Sequence, residues 1–100
     1  MITSKQRSVL RALSNSLEPV FQIGKSGVSE VLAKEVGDAL EARELVKITV
    51  LNNSGLDAKA ACSALADMTG AEAVSCVGHR FVLYRQSLEH QKIFFDRLLR

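Results

Sequence analysis

The run Leu45-Val46-Lys47-Ile48-Thr49-Val50-Leu51 constrains this chain most, because it is β-branched and alternating and reads as a strand. Its flanks fix the fold class. Upstream, Val28, Val31, Leu32, Val36, Ala39 and Leu40 recur at helical spacing and predict a helix from Val28 to about Glu44. Gly37 inside that helix costs about 1 kcal/mol against alanine. Downstream, Asn52-Asn53-Ser54-Gly55 is a turn cluster. Asp57 then caps a third helix carrying Ala61, Leu65 and Met68, which Gly70 closes.

Nearer the start, Thr3 or Ser4 can cap a first helix whose apolar stripe is Val9, Leu10, Leu13 and Ala12, ending near Asn15. The single proline, Pro19, opens a short strand to Ile23, the position where a strand tolerates a missing N–H. Two last strands run Ala73 to Val77 and Phe81 to Arg85. Gly78-His79 between them suits a two-residue hairpin with glycine at the first central position.

The order is α-β-α-β-α-β-β. Strands joined through helices are normally parallel, whereas a hairpin is antiparallel. The expected fold is therefore α/β in the α+β sense: one domain, with a four-stranded mixed sheet packed with helices. One hundred residues leave no room for a second core. The domain is expected over residues 1–86, followed by a tail over 87–100. That tail either forms a short helix through Phe94, Phe95, Leu98 and Leu99 or lies extended across the core.

With 47% hydrophobic and 24% charged residues, the mixture is globular rather than disordered. No apolar stretch reaches the length of a membrane span, and the polar, basic start is no secretory signal. The expected location is the cytoplasm, with no membrane partner. Cys62 and Cys76 sit in apolar patterns and are expected as small buried hydrophobes, not a disulfide or a zinc site. His79 and His90 lack a nucleophile partner at recognisable spacing. No catalytic set, metal motif, cofactor or small-molecule substrate is expected, so the chain reads as a non-enzyme.

Gly24-Lys25-Ser26-Gly27 lies between a strand and a helix start. A helix start presents unpaired N–H groups and partial positive charge. Two glycines allow close approach of a phosphate backbone, Lys25 adds a cation and Ser26 a hydroxyl donor. By itself the motif fits a phosphate clamp and a simple tight turn equally well. A nucleotide-binding P-loop would need glycine five positions before Gly24, where Pro19 stands.

Three segments together resemble the CRM domain (CRS1/YhbY) family, named for chloroplast RNA splicing and ribosome maturation. They are Pro19-Val20-Phe21-Gln22-Ile23-Gly24-Lys25-Ser26-Gly27, Ala39-Leu40-Glu41-Ala42-Arg43-Glu44-Leu45-Val46-Lys47 and Val77-Gly78-His79-Arg80-Phe81-Val82-Leu83-Tyr84-Arg85. Lys5-Gln6-Arg7 with Leu10-Arg11 is similar to the family's first helix. The match runs over roughly residues 3 to 85 and is closest to the stand-alone bacterial YhbY-type form. The tail after Arg85 departs from that form's shorter, more polar ending. The resemblance implies a fold like the C-terminal domain of translation initiation factor three. It also implies a GxxG loop like that of KH domains, and association with the precursor of the large ribosomal subunit.

The formal net charge of +2 says little, so placement matters more. Arg7 and Arg11 lie four apart on the first helix, opposite its apolar stripe. They mark either a solvated face or a contact for a polyanion. Glu30, Glu41 and Glu44 are expected on the outer face of the second helix, with Asp38 beside them and Lys34 able to pair with Glu30. Arg43 falls in that helix's last turn. Lys47 is expected on the sheet face opposite Val46 and Ile48, with Arg80 and His79 at the hairpin tip. Tyr84 can stack a base or pack half-buried.

The expected function is non-enzymatic binding of structured ribosomal RNA during large-subunit assembly. Gly24, Lys25, Ser26 and Gly27 would hold the backbone, and Arg7, Arg11, Arg43 and Arg80 would extend the contact. The alternative is a protein-interaction module that docks on a ribosomal protein or assembly factor through the tail. Monomer is the default state.

Overall fold

The computed structural model describes residues 2–52 and 55–98. Along the chain run α1 (Ser4–Ser14), β1 (Phe21–Ile23), α2 (Glu30–Arg43), β2 (Leu45–Val50), α3 (Ala58–Thr69), β3 (Glu72–Val77), β4 (Arg80–Tyr84) and a single turn, α4 (Phe95–Leu98). The strands form one mixed sheet in the order β1-β2-β4-β3. β1 pairs parallel with β2, while β4 lies antiparallel between β2 and β3. This is the α+β order and mixed sheet that the sequence predicts. Asn53 and Ser54 of the expected turn cluster, and Leu99 of the expected tail helix, lie outside the described residues.

Strand alternation gives the sheet two packed faces. Val46, Ile48 and Val50 of β2 join Ile23, Phe81 and Leu83 on one face, where Val36 and Leu40 of α2 and Ala61 and Leu65 of α3 cover them. On the other face, Leu45, Val74, Val82 and Tyr84 meet Leu10 of α1 and Ile93 of the tail. Tyr84 is buried at 6% exposure and presents no free stacking surface.

Of the two possible caps of α1, Thr3 is the one used. Its Oγ1 accepts the Gln6 N–H at 3.1 Å while the Gln6 Oε1 accepts the Thr3 N–H at 2.9 Å, a capping box. The buried edge of α1 is Leu10 and Ser14, four apart, with the Ser14 hydroxyl donating to the Arg11 carbonyl. Leu13, expected in the stripe, is rotated toward solvent. In α3, Ala61, Cys62 and Leu65 are buried as expected, whereas Met68 at the end of the stripe is exposed. Cys76 is only half-buried, and both thiols are free.

α2 begins two residues later than the pattern suggests. Gly27 has φ 71° and Ser29 is extended, so the helix starts at Glu30 with the Ser29 Oγ accepting the Leu32 N–H. Its outer face also differs from expectation. Lys34 pairs with Asp38 at 3.5 Å rather than with Glu30. Glu44 is fully buried, because the chain leaves the helix at φ 68° there and helical periodicity no longer directs its side chain. Glu41 is half-buried beneath the tail, with its carboxylate accepting the Ser87 hydroxyl at 2.7 Å.

Arg85 acts inside the fold. Its guanidinium donates to the Thr69 carbonyl at 2.6 Å and the Gly37 carbonyl at 2.8 Å, tying α3 to α2. The hairpin turn has Gly78 at φ 60°, while His79 does not share a positive φ. That matches the expected turn with glycine first. Beyond Arg85 the chain runs irregularly to Phe94, buries Ile93, and closes with α4, where Phe95 meets the Tyr84 ring edge-on at 5.7 Å.

Candidate functional site

Hydrogen bonding brings three loops to one end of the sheet. The Ile23 carbonyl accepts the Leu51 N–H at 2.9 Å, and the Val50 N–H donates to the His79 carbonyl at 2.7 Å. Gly24-Lys25-Ser26-Gly27, the end of β2 and the hairpin tip therefore follow one another across that end. Thr49, Leu51, Asn52, Val77, His79 and Arg80 line a recess of about 390 Å³ there. Lys25, Ser26, His79 and Arg80 are all exposed. One row of the sheet, Gln22, Thr49 and Arg80, continues from this end on the face that carries α1.

The two glycines differ. Gly27 has φ 71°, where a side chain is strained, and its N–H closes the turn on the Gly24 carbonyl at 3.0 Å. Gly24 has no such conformation. A Cβ on it would meet only Leu51 Cδ1, at an ordinary 3.7 Å. Folding accounts for glycine at position 27 but not at 24. The helix start offers less to an anion than the sequence implies, since Ser29 caps it and Glu30 already places a carboxylate in its first turn. Lys25 and the loop itself are the stronger attraction.

The remaining candidate residues divide. Arg80 is at the loop end. The end of α1 adjoins it, since Ser14 and Asn15 line one recess with Lys47 and Arg80. Arg11 lies one turn before that end and Arg7 two turns before it. Arg43 is not brought to the glycine loop. It stands at the far end of the 14-residue α2, about 20 Å away at 1.5 Å per residue. Its neighbour around the adjoining cavity is Lys47, which does occupy the predicted sheet face. Lys47 links these regions, which only the strand register reveals.

Charge is unevenly spread. Lys47 and Arg80 lie on the α1 face, beside Glu18. On the other face, α2 exposes Glu30, Glu35 and Asp38 against the single cation Lys34 in the same stretch. Burial pushes the Cys62 thiol up to about 11, with Cys76 adding to the shift, so this sulfur is a poor nucleophile. Among the described residues, no three His, Cys, Asp or Glu side chains cluster to hold a metal. No described helix is long and apolar enough to cross a membrane.

A four-stranded mixed sheet with helices on both faces, and a glycine loop leading toward its second helix, defines a small α+β loop-presenting domain. The chain belongs to the CRS1 / YhbY (CRM) domain family, whose model matches residues 2–85. It is 40% identical over 93 residues to the "Probable RNA-binding protein YqeI" of Bacillus subtilis, covering 93% of this chain and 97% of that protein. An "RNA-binding protein" of Haemophilus influenzae is 33% identical over 96 residues, 96% of each chain. The solution structure of the hypothetical protein SAV1595 from Staphylococcus aureus superposes with a TM-score of 0.78 at 41% identity. That match covers 94% of this chain and 98% of that one.

Proposed function

We propose that this is a non-enzymatic, cytoplasmic RNA-binding protein that engages structured ribosomal RNA of the large-subunit precursor during ribosome assembly. One observation carries the reading. The glycine loop with exposed Lys25 shares an end of the sheet with exposed Arg80, whose side of the sheet is the one opposite α2. The relatives' names support RNA as the partner, and the precursor of the large subunit is the target that the sequence resemblance implies.

In this reading Gly24, Lys25, Ser26 and Gly27 grip the backbone. Gly24 lets a phosphate approach where a Cβ would stand. Arg80 and Arg11 extend the contact, and Arg7 continues it along α1. With no exposed tyrosine or tryptophan, recognition rests on shape and phosphate more than on stacking.

The test is a titration of labelled precursor ribosomal RNA fragments, and DNA of matching sequence, at two salt concentrations. Lys25→Glu should abolish a salt-sensitive RNA affinity, and Lys25→Ala should lower the salt slope by about 1. Gly24→Ala should keep the fold and weaken binding. A folded wild type that binds no precursor RNA, or a Lys25→Ala variant with an unchanged salt slope, would refute the reading.

A further inference from the structure

We propose that the recess between the end of α1, the residues leading into β1 and the start of β2 is a second RNA subsite. It would seat one unstacked nucleobase, with the flanking phosphates on Lys47 and Arg43. This rests on the RNA reading above and extends it from a backbone grip to the reading of a base.

The recess is about 350 Å³, larger than a base needs, and its walls include Leu13, Leu17, Val20 and Ile93. Leu13, Leu17 and Val20 remain 37%, 36% and 41% exposed, an apolar group that the core of this small domain does not absorb. Lys47, Arg43 and Glu18 bring charge to the same recess. That combination matches a nucleotide: a flat apolar body, an anion on either side, and an edge of donors that a carboxylate such as Glu18 can accept from an exocyclic amine.

Continuity with the glycine-loop end favours RNA over an apolar peptide. Lys47 lines both this recess and the next, where it meets Ser14, Asn15, Ser75 and Arg80. Arg80 in turn lines the recess at the loop end. Three hollows, joined by two shared cations, lead from the end of the sheet that also carries the glycine loop across its α1 face. Structured RNA offers unstacked bases at bulges and loops, the places where proteins read its sequence. Arg43, too far from the glycine loop to share its phosphate, gains a partner by this route.

The experiment is zero-length ultraviolet crosslinking of the wild-type protein to its tightest-binding precursor ribosomal RNA fragment, mapping both peptide and nucleotide. A crosslink within residues 13–20 is expected. An abasic substitution at that nucleotide should then weaken wild-type binding about tenfold, and Leu17→Asn should do the same on intact RNA. The two changes together should cost no more than either alone. Lys47→Gln should weaken binding and flatten its salt dependence, without touching the apolar walls should Leu17→Asn fail to fold.

If Lys25→Glu abolishes binding but the abasic RNA and Lys47→Gln bind as tightly as the originals, the subsite is overturned and the RNA reading stands. If the folded wild type binds no precursor RNA, both fall. Intact RNA affinity in a folded Leu17→Asn that no longer holds a ribosomal protein would assign the recess to a protein partner and overturn the subsite.

Discussion

The carboxylate of Glu44 accepts the backbone N–H of Ile93 at 2.7 Å, in a buried hydrogen bond spanning 49 residues of sequence. The same oxygen takes the Lys92 N–H at 2.6 Å, and the other oxygen takes the Ser87 N–H at 2.7 Å. Glu44 thus satisfies three N–H groups of the tail from inside the protein. Its backbone, at φ 68° and ψ −33°, lies in a sparsely populated region that costs about 1–3 kcal/mol, which these bonds offset. Glu44→Ala orphans all three donors and should destabilise the fold by about 3 kcal/mol in urea titrations. Glu44→Gln keeps one acceptor oxygen but sets an amide donor against another N–H, and should fall between. A Glu44→Ala protein unfolding at the wild-type urea midpoint would refute this role.

Glu41 grips the same segment nearer the surface. The Ser87 hydroxyl, then the Leu88 and Glu89 N–H groups, hold its carboxyl below the usual glutamate value of 4.5. A carboxylate with a lowered native pKa stabilises the folded state above its unfolded pKa and loses that contribution as pH falls through the native one. Exchange of the Leu88 and Glu89 amides should therefore be constant near neutrality, after correction for intrinsic rates, and accelerate below about pH 4.5. Glu41→Gln should remove that acid transition. Identical pH profiles for the two proteins would show that the tail is held elsewhere.

Much of the architecture was legible because it depends on local pattern. Period two in Leu45–Val50 and the punctuation at Pro19, Gly70 and Gly78 place the elements to within a residue or two. Where the chain departs from regular geometry, that pattern loses its hold. Helical periodicity assigns Glu44 to an outer face, but a positive φ turns it into the core. Arg85 shows no role in sequence because both of its acceptors are main-chain carbonyls on other elements. The candidate site divides in the same way. Gly24 to Gly27 are visible as a motif, whereas the distance between Arg43 and that loop, and the position of Lys47 between two recesses, depend on register.

Gly37 is a weakness in α2 that the structure does not require. Its carbonyl accepts Arg85, but a Cβ there would meet only the Arg85 Nη1 at 3.8 Å, an ordinary contact with the end of a flexible side chain. Nothing in its backbone demands glycine. Gly37→Ala should stabilise the protein by roughly 0.5–1 kcal/mol through helix propensity and a less mobile unfolded chain. Thermal melts would show the gain as a higher midpoint. A lowered midpoint would mean that the Arg85 tie to Thr69 and Gly37 cannot tolerate even this contact.

The tail separates the two functional readings. Ile93 is 8% exposed within the cluster of Leu10, Leu45, Val74, Val82 and Tyr84, and Phe95 packs edge-on against Tyr84. A segment so placed behaves as core, and Ile93→Ala should cost about 2–4 kcal/mol. Leu98, 45% exposed, should lose less than about 0.5 kcal/mol on the same change. Ending the chain after Gln86 removes Ile93, Phe95 and every tail donor to Glu41 and Glu44, leaving two glutamates over an opened core. Marginal stability leaves little room for that loss, so the truncated protein should unfold at far lower urea than wild type. Equal stability in the truncated protein, with RNA affinity intact and capture of a ribosomal protein lost, would instead make residues 87–100 a docking element and favour the interaction-module reading.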